Sequence, residues 1–443
     1  MKFSINKNNL ILYLILFCMI LPTIRFFNFE MPVVYLLSPI GIMILICVLF
    51  GLVKVPSITK MIIFLWLMIL IQIIISTFYS TINKLGYFVF PTDIFQYVVR
   101  FVFLISFIVL AYKGRINKEK FIKCFLIVLI FGMGIGVLQW IPWPGREFFI
   151  KMYPFRDGLE QISQLSRPLY SLRLHGFAQH ATANGGSASF AIAFAYSVRR
   201  YYGKYNKLSL ILLILSIINI IASQARAGML AVAFSVFLFY VINIKYERKG
   251  FKPTVYFIGI IIGFSIIMVY LYNTGNTFVI RNFDRWIQLF ETGGGARATT
   301  QPQYFFSIMK GTDYFFGLSK PIVNRSAISY GVEVELINIL VTYGITGFLL
   351  QYLLIAILLV YFYKKISKRT QDKATLALCI ASFVGLFGYQ VFSVAYYFFR
   401  EIRIGLFPWV LMGVTIGVYE RYKRINNYDN AYFIGGDNFN GKN

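Results

Sequence analysis

Residues 207–244 read KLSLILLILSIINIIASQARAGMLAVAFSVFLFYVINI. Two apolar runs, 207–223 and 227–244, are each close to the length a helix needs to cross a hydrocarbon core. Only Gln224, Ala225 and Arg226 stand between them, so the chain turns tightly after Ser223 and crosses back. Similar runs recur on both sides, near 8–27, 32–52, 60–79, 94–112, 121–143, 185–199, 254–272, 336–363, 374–396 and 402–419. The pattern predicts an all-α integral membrane protein, one polytopic domain over 1–443 with about twelve transmembrane helices. The composition agrees: 58% hydrophobic and 14% charged, where a soluble domain carries about 25% charge. The first run follows Lys2 and Lys7 without a small-residue cleavage site, and it reads as a retained helix.

The net charge is +26, a balance that in a soluble protein suggests nucleic acid. Its distribution points elsewhere. Lys and Arg crowd alternate loops, at 113–123, 199–207, 245–252, 364–373 and 421–424. That is the positive-inside pattern, and it predicts both termini in the cytoplasm and no nucleic-acid partner. Cys18, Cys47, Cys124 and Cys379 all fall in apolar runs, as small core hydrophobes do. The inner loops use mostly Lys. The outer loops use mostly Arg, which topology alone does not require. A guanidinium is a planar, permanently charged fork that fits phosphate oxygens in pairs, so the bias predicts an anionic ligand at the outer face.

Two outer loops are long, 146–184 and 273–335, and long loops in a compact fold usually carry function. In the second, Phe283, Trp286, Ile287 and Phe290 recur at helical spacing, with Arg281, Asp284, Arg285 and Gln288 on the other face. This predicts an interfacial amphipathic helix that offers Arg281 and Arg285 to a substrate. Gly293, Gly294 and Gly295 then mark a hinge before Arg297. The polar stretch 425–443 reads as a disordered cytoplasmic tail.

Four constellations carry possible chemistry. The first joins Arg173, His175, Gly176, His180 and Asn184, running into an apolar helix whose start suits phosphate. A lone interfacial His more often bonds a headgroup or a carbonyl, but two His with Arg and Asn in one short stretch favour a site. The second is the turn Ser223–Arg226, which sets one charge at membrane depth, where snorkelling is the alternative. The third is Arg297 after its glycines. The fourth is Glu333, Glu335 and Asn338 at a helix entrance, where a carboxylate suits the helix dipole and can also act as a base. No phosphate loop, HExxH or Asp-x-Asp occurs, so neither ATP, a cofactor nor a metal is expected.

In order along the chain, these motifs resemble the O-antigen polymerase and O-antigen ligase superfamily, most densely from Arg173 to Gly347. The family's Arg-x-x-Gly followed by Asn is matched by Arg173, Gly176 and Asn184. Its Ser-x-x-Arg turn is matched by Ser223 and Arg226, its second-loop arginine by Arg297, and its Gly-x-x-Gly pair by Gly344 and Gly347. The ligases' histidine, eleven residues before that pair, is replaced by Glu333, which favours the polymerase branch. The arginine–ten–glycine spacing of some polymerases is absent, because Asn184 holds the glycine position. The resemblance implies a metal-independent membrane glycosyltransferase of the bacterial cytoplasmic membrane that polymerises O-antigen or capsule repeat units. Its substrates are polyprenyl-pyrophosphate-linked oligosaccharides, its surroundings the lipid bilayer, and its partners a chain-length regulator and a flippase. The expected catalytic residues are Arg173, Arg297, His180 and Glu333. Arg226, His175, Asn184, Glu335, Asn338, Arg281 and Arg285 are expected to bind substrate. An O-antigen ligase, or a polysaccharide flippase, is the alternative.

Overall fold

The computed structural model describes residues 7–26, 29–153, 173–178, 180–247, 263, 266–292, 294–295, 297–329, 331–367, 372–394 and 402–436. Among them, seven helices are long and apolar enough to cross a membrane. These are α3 (Ser57–Leu85), α4 (Ile94–Tyr112), α5 (Lys118–Trp140), α8 (Asn206–Ser223), α9 (Arg226–Glu247), α14 (Glu335–Ser367) and α15 (Lys373–Ser393). The chain is a multi-pass membrane protein.

The remaining predicted spans differ in form. The run 8–27 is helical only through α1 (Lys7–Cys18). Thr23–Phe26 then pairs antiparallel with Phe29–Pro32, so strand β1, at the end of the run 8–27, and strand β2, largely between that run and the next, make a short hairpin. A 3₁₀ turn (Val33–Leu37) and α2 (Ser38–Leu49) complete the second run. The run 185–199 is α7 (Ala181–Ser197), continued by a π turn at Val198–Tyr202. The run 402–419 opens α16 (Ile402–Gly436), which continues past residue 425, where a disordered tail is expected. The run 254–272 lies largely outside the described residues, as does 154–172 of the first long loop.

Helix α16 threads the centre of the molecule against α4. A Cβ on Gly413 would meet the Leu104 carbonyl at 2.8 Å, and one on Gly417 the Ile108 carbonyl at 2.5 Å. Small residues four apart let the two backbones touch, which substitutes for the hydrophobic drive that lipid does not supply. Trp66 of α3 closes the far side, stacked on Phe101 at 5.3 Å and edge-on to Trp409 at 4.8 Å between ring centroids. Helix α7 is built of small residues and is buried on nearly every face. Gly228 of α9 comes so close to it that a Cβ would lie 2.8 Å from the Gly185 carbonyl.

Helix α14 is broken at Gly344, whose φ of 68° and ψ of −175° no helix accommodates. The Gly-x-x-Gly pair therefore marks a break inside the run 336–363. The cause is a second segment of backbone: a Cβ on Gly317 or on Gly344 would strike the other segment's carbonyl. The carbonyls released by the break find partners. Gln72 donates to Tyr343 O at 3.1 Å, Ser76 to Thr342 O at 2.9 Å, and the Leu318 amide to Val341 O at 2.8 Å. Irregular backbone at this depth is tolerable only with such partners, which explains the polar face of an otherwise apolar α3.

The second long loop folds into short helices: α10 (Thr277–Glu291), α11 (Thr300–Ile308), α12 (Asp313–Phe316) and α13 (Ser319–Arg325). In the first, α6 (Arg146–Met152) precedes the described stretch 173–178. Both loops gather at one end of the helix bundle.

Candidate active site

The site is built on the sharp turn between α8 and α9. Gln224 ends α8 in a left-handed conformation, φ 50° and ψ 34°, and α9 begins two residues later at Arg226. The Ser223 hydroxyl accepts from the Ala225 amide at 3.3 Å, which stabilises the reversal. A helix end leaves carbonyls without intrahelical donors. Here the first loop supplies them: the Leu174 amide donates to Ala222 O at 3.0 Å, and Arg173 Nε to Ser223 O at 3.2 Å. The Ser-x-x-Arg turn and the first-loop arginine are thus parts of one structure.

Asn184 fastens the same loop from beneath. It is buried and donates to Asn219 Oδ1 at 3.0 Å, while Asn219 donates to Met133 O at 2.9 Å and Leu215 O at 2.8 Å. Gly176, with φ of 56°, sits so close that a Cβ would approach Asn184 Oδ1 to 2.6 Å. Asn184 holds the loop in position and has no face on the cavity described below. His175 is likewise buried, its Nε2 3.0 Å from Tyr153 O. Burial, only partly opposed by that bond, pulls its pKa down to about 4, so the ring is neutral near pH 7. His180 stands half-buried immediately before α7.

The second loop closes over this turn through α10. Arg285 Nη1 donates to Gln224 Oε1 at 2.6 Å, and Arg226 Nη1 donates back to the Arg285 carbonyl. Burial, and then the neighbouring charges of Arg281 and Arg226, push the Arg285 guanidinium below its usual pKa. Arg281 is one turn away and does not line the cavity. Arg297 Nε forms an ion pair with Glu333 Oε2, and the Glu333 amide is held by Gln301 Oε1 at 3.1 Å. Two residues on, Glu335 is wholly buried at the start of α14. Asn338 donates to Val332 O at 2.5 Å and accepts from Thr342 at 3.3 Å, pinning the approach to α14.

Arg173, Arg226, Arg285 and Arg297 line a single cavity of about 440 Å³. Thr182 and Gln224 add neutral polar groups, and Trp286, Leu230, Phe290 and Val394 form an apolar wall. Phe290 is 77% exposed and Val394 53%, so the apolar side opens outward from the molecule. The arginines come from four separate segments of the chain. One of them, Arg297, faces a carboxylate, that of Glu333. Such a cavity holds an anion by paired, charge-assisted hydrogen bonds and an apolar tail beside it. Gln224 and Asn219 are not singled out by sequence. The first is one polar residue inside a recognised turn; the second is a lone Asn in an apolar run, whose partner lies far away in the chain. Among the described residues, no three His, Cys, Asp or Glu side chains come together as a metal cradle. Compared with protein-family models and with curated proteins, the chain matches none.

Proposed function

We propose that this protein is a polymerase of lipid-linked oligosaccharide repeat units, working at the outer face of the bacterial cytoplasmic membrane in O-antigen or capsule synthesis. The observation that carries the reading is the convergence of Arg173, Arg226, Arg285 and Arg297 on one cavity with an apolar, outward-opening wall. A polyprenyl pyrophosphate has the same two halves, an anionic head and an apolar tail. In the reaction the acceptor hydroxyl oxygen bonds to the anomeric carbon of the donor sugar. The bond from that carbon to the pyrophosphate oxygen breaks, and polyprenyl pyrophosphate leaves with the bonding pair. Guanidiniums stabilise the charge that develops on the leaving group. The hydroxyl proton passes to a base, the role we assign to Glu333 beside Arg297. To His180, immediately before α7, we assign a part in holding the donor. Chain-length regulator and flippase are the expected partners.

The test is reconstitution. Purified protein given a purified lipid-linked repeat unit should yield a ladder of longer lipid-linked chains. A deletion strain should carry single repeat units on its surface anchor. Long chains left on the lipid carrier would identify a ligase, and units retained inside the cell a flippase.

A further inference from the structure

Arg226 and Arg285 donate to uncharged oxygens, the Arg285 carbonyl and the Gln224 amide. Arg297 instead faces a carboxylate, Glu333. We propose that Glu333 is a resident counter-anion of the cavity, one that competes with a phosphate-bearing ligand for Arg297 and is released towards the acceptor when that ligand wins. The proposal rests on the polymerase reading for the identity of the ligand, a diphosphate ester, and not for the competition itself.

Three features make the exchange physically reasonable. The pair is partly solvated, with Arg297 40% and Glu333 28% exposed, and ion pairs of this kind are weak. A diphosphate offers more charge and more acceptor oxygens than one carboxylate, so it wins a contest for a guanidinium fork. Both ends of the pair can also separate without unfolding their surroundings. Glu333 is anchored by its backbone amide on Gln301, which leaves the carboxylate free to swing. Arg297 follows Gly294 and Gly295, at φ of 99° and 69°, on a turn that only glycine enters easily. The exchange couples the two halves of the reaction. Once the donor holds Arg297, the Glu333 carboxylate is no longer occupied by the guanidinium and can face the acceptor hydroxyl.

The experiment uses full-length protein in detergent, with inorganic pyrophosphate as the titrant and no other phosphate present. Glu333→Gln keeps the shape and the amide anchor but removes the competing charge. It should bind pyrophosphate about three- to tenfold more tightly than wild type. The gain should vanish when E333Q is combined with R297Q, because the contested guanidinium is gone. Glu333→Ala provides a second removal of the charge should the Gln variant fold poorly. Wild-type or weaker affinity in E333Q and E333A overturns the proposal, as does a gain that survives R297Q. Pyrophosphate that binds none of these proteins overturns it too, together with the anion site. A normal gain alongside failed reconstitution leaves the counter-anion in place and removes only the polymerase reading.

Discussion

Replacing Arg173 or Arg297 with lysine keeps a positive charge in the cavity but removes the flat fork that grips two oxygens at once. Each change should cost about 2–4 kcal/mol of transition-state stabilisation, read as loss of polymer at matched protein level. Near-normal polymer from both would show that charge alone suffices. Glu333→Gln should lower chain growth about 10²–10⁴-fold while the lipid-linked donor still binds, as loss of a placed base does. His175 makes a different prediction. Its folded pKa of about 4 lies below its ordinary 6.5, so the unfolded chain binds the extra proton between those values. The stability of the neutral, buried ring is complete above about pH 6.5 and declines as pH falls towards 4. By pH 5 the loss is on the order of 2 kcal/mol. Thermal unfolding of wild type should therefore weaken between pH 7 and 5 more than that of His175→Gln, and parallel slopes would assign the acid sensitivity to other groups. The four cavity arginines were legible because arginine is over-used where topology asks for no charge. His175 and Asn184 stand in the same stretch as Arg173, yet they serve its anchoring, because a loop that holds an arginine in place needs buried polar ties of its own.

The helical elements follow from length and hydropathy wherever a run is long, apolar and unbroken, as in α4, α5, α8 and α9. The amphipathic face of Phe283, Trp286, Ile287 and Phe290 likewise locates α10. Hydropathy is blind to hydrogen bonding, however, and two features escape it. It joins β1 to the helix before it, because an apolar strand and an apolar helix have the same mean hydropathy. It also runs unbroken through Gly344, within 336–363, since the cause of the break is a tertiary crossing with Gly317. Gly344→Val should destabilise the protein by about 2–4 kcal/mol, through a strained positive φ and a clash with the Phe315 carbonyl. Unfolding in detergent measures it. A variant with wild-type stability would mean that the crossing shifts freely.

For the whole molecule, the absent Asp-x-Asp and the four cavity arginines lead to one expectation: polymerisation survives EDTA. Activity lost to the chelator and restored by magnesium or manganese would put a divalent cation where the guanidiniums are proposed to act. The uneven use of Lys and Arg at the two ends of the bundle was legible from sequence. Which arginines meet was not, because segments far apart in the chain are joined only by the packing of α7 against α8 and α9. That arrangement also has a history in time. The ribosome delivers Arg173 and Arg226 first, then Arg285 and Arg297, and Glu333 last of all. At about 5–20 residues per second, the interval from Arg297 to Glu333 lasts roughly 2–7 s. During those seconds the nascent chain already carries the cavity's four arginines and still lacks the carboxylate that pairs with Arg297. The order of synthesis thus puts the gripping groups before the group proposed to compete with them, and the exchanger is complete only once Glu333 and the cavity wall at Val391 and Val394 have followed.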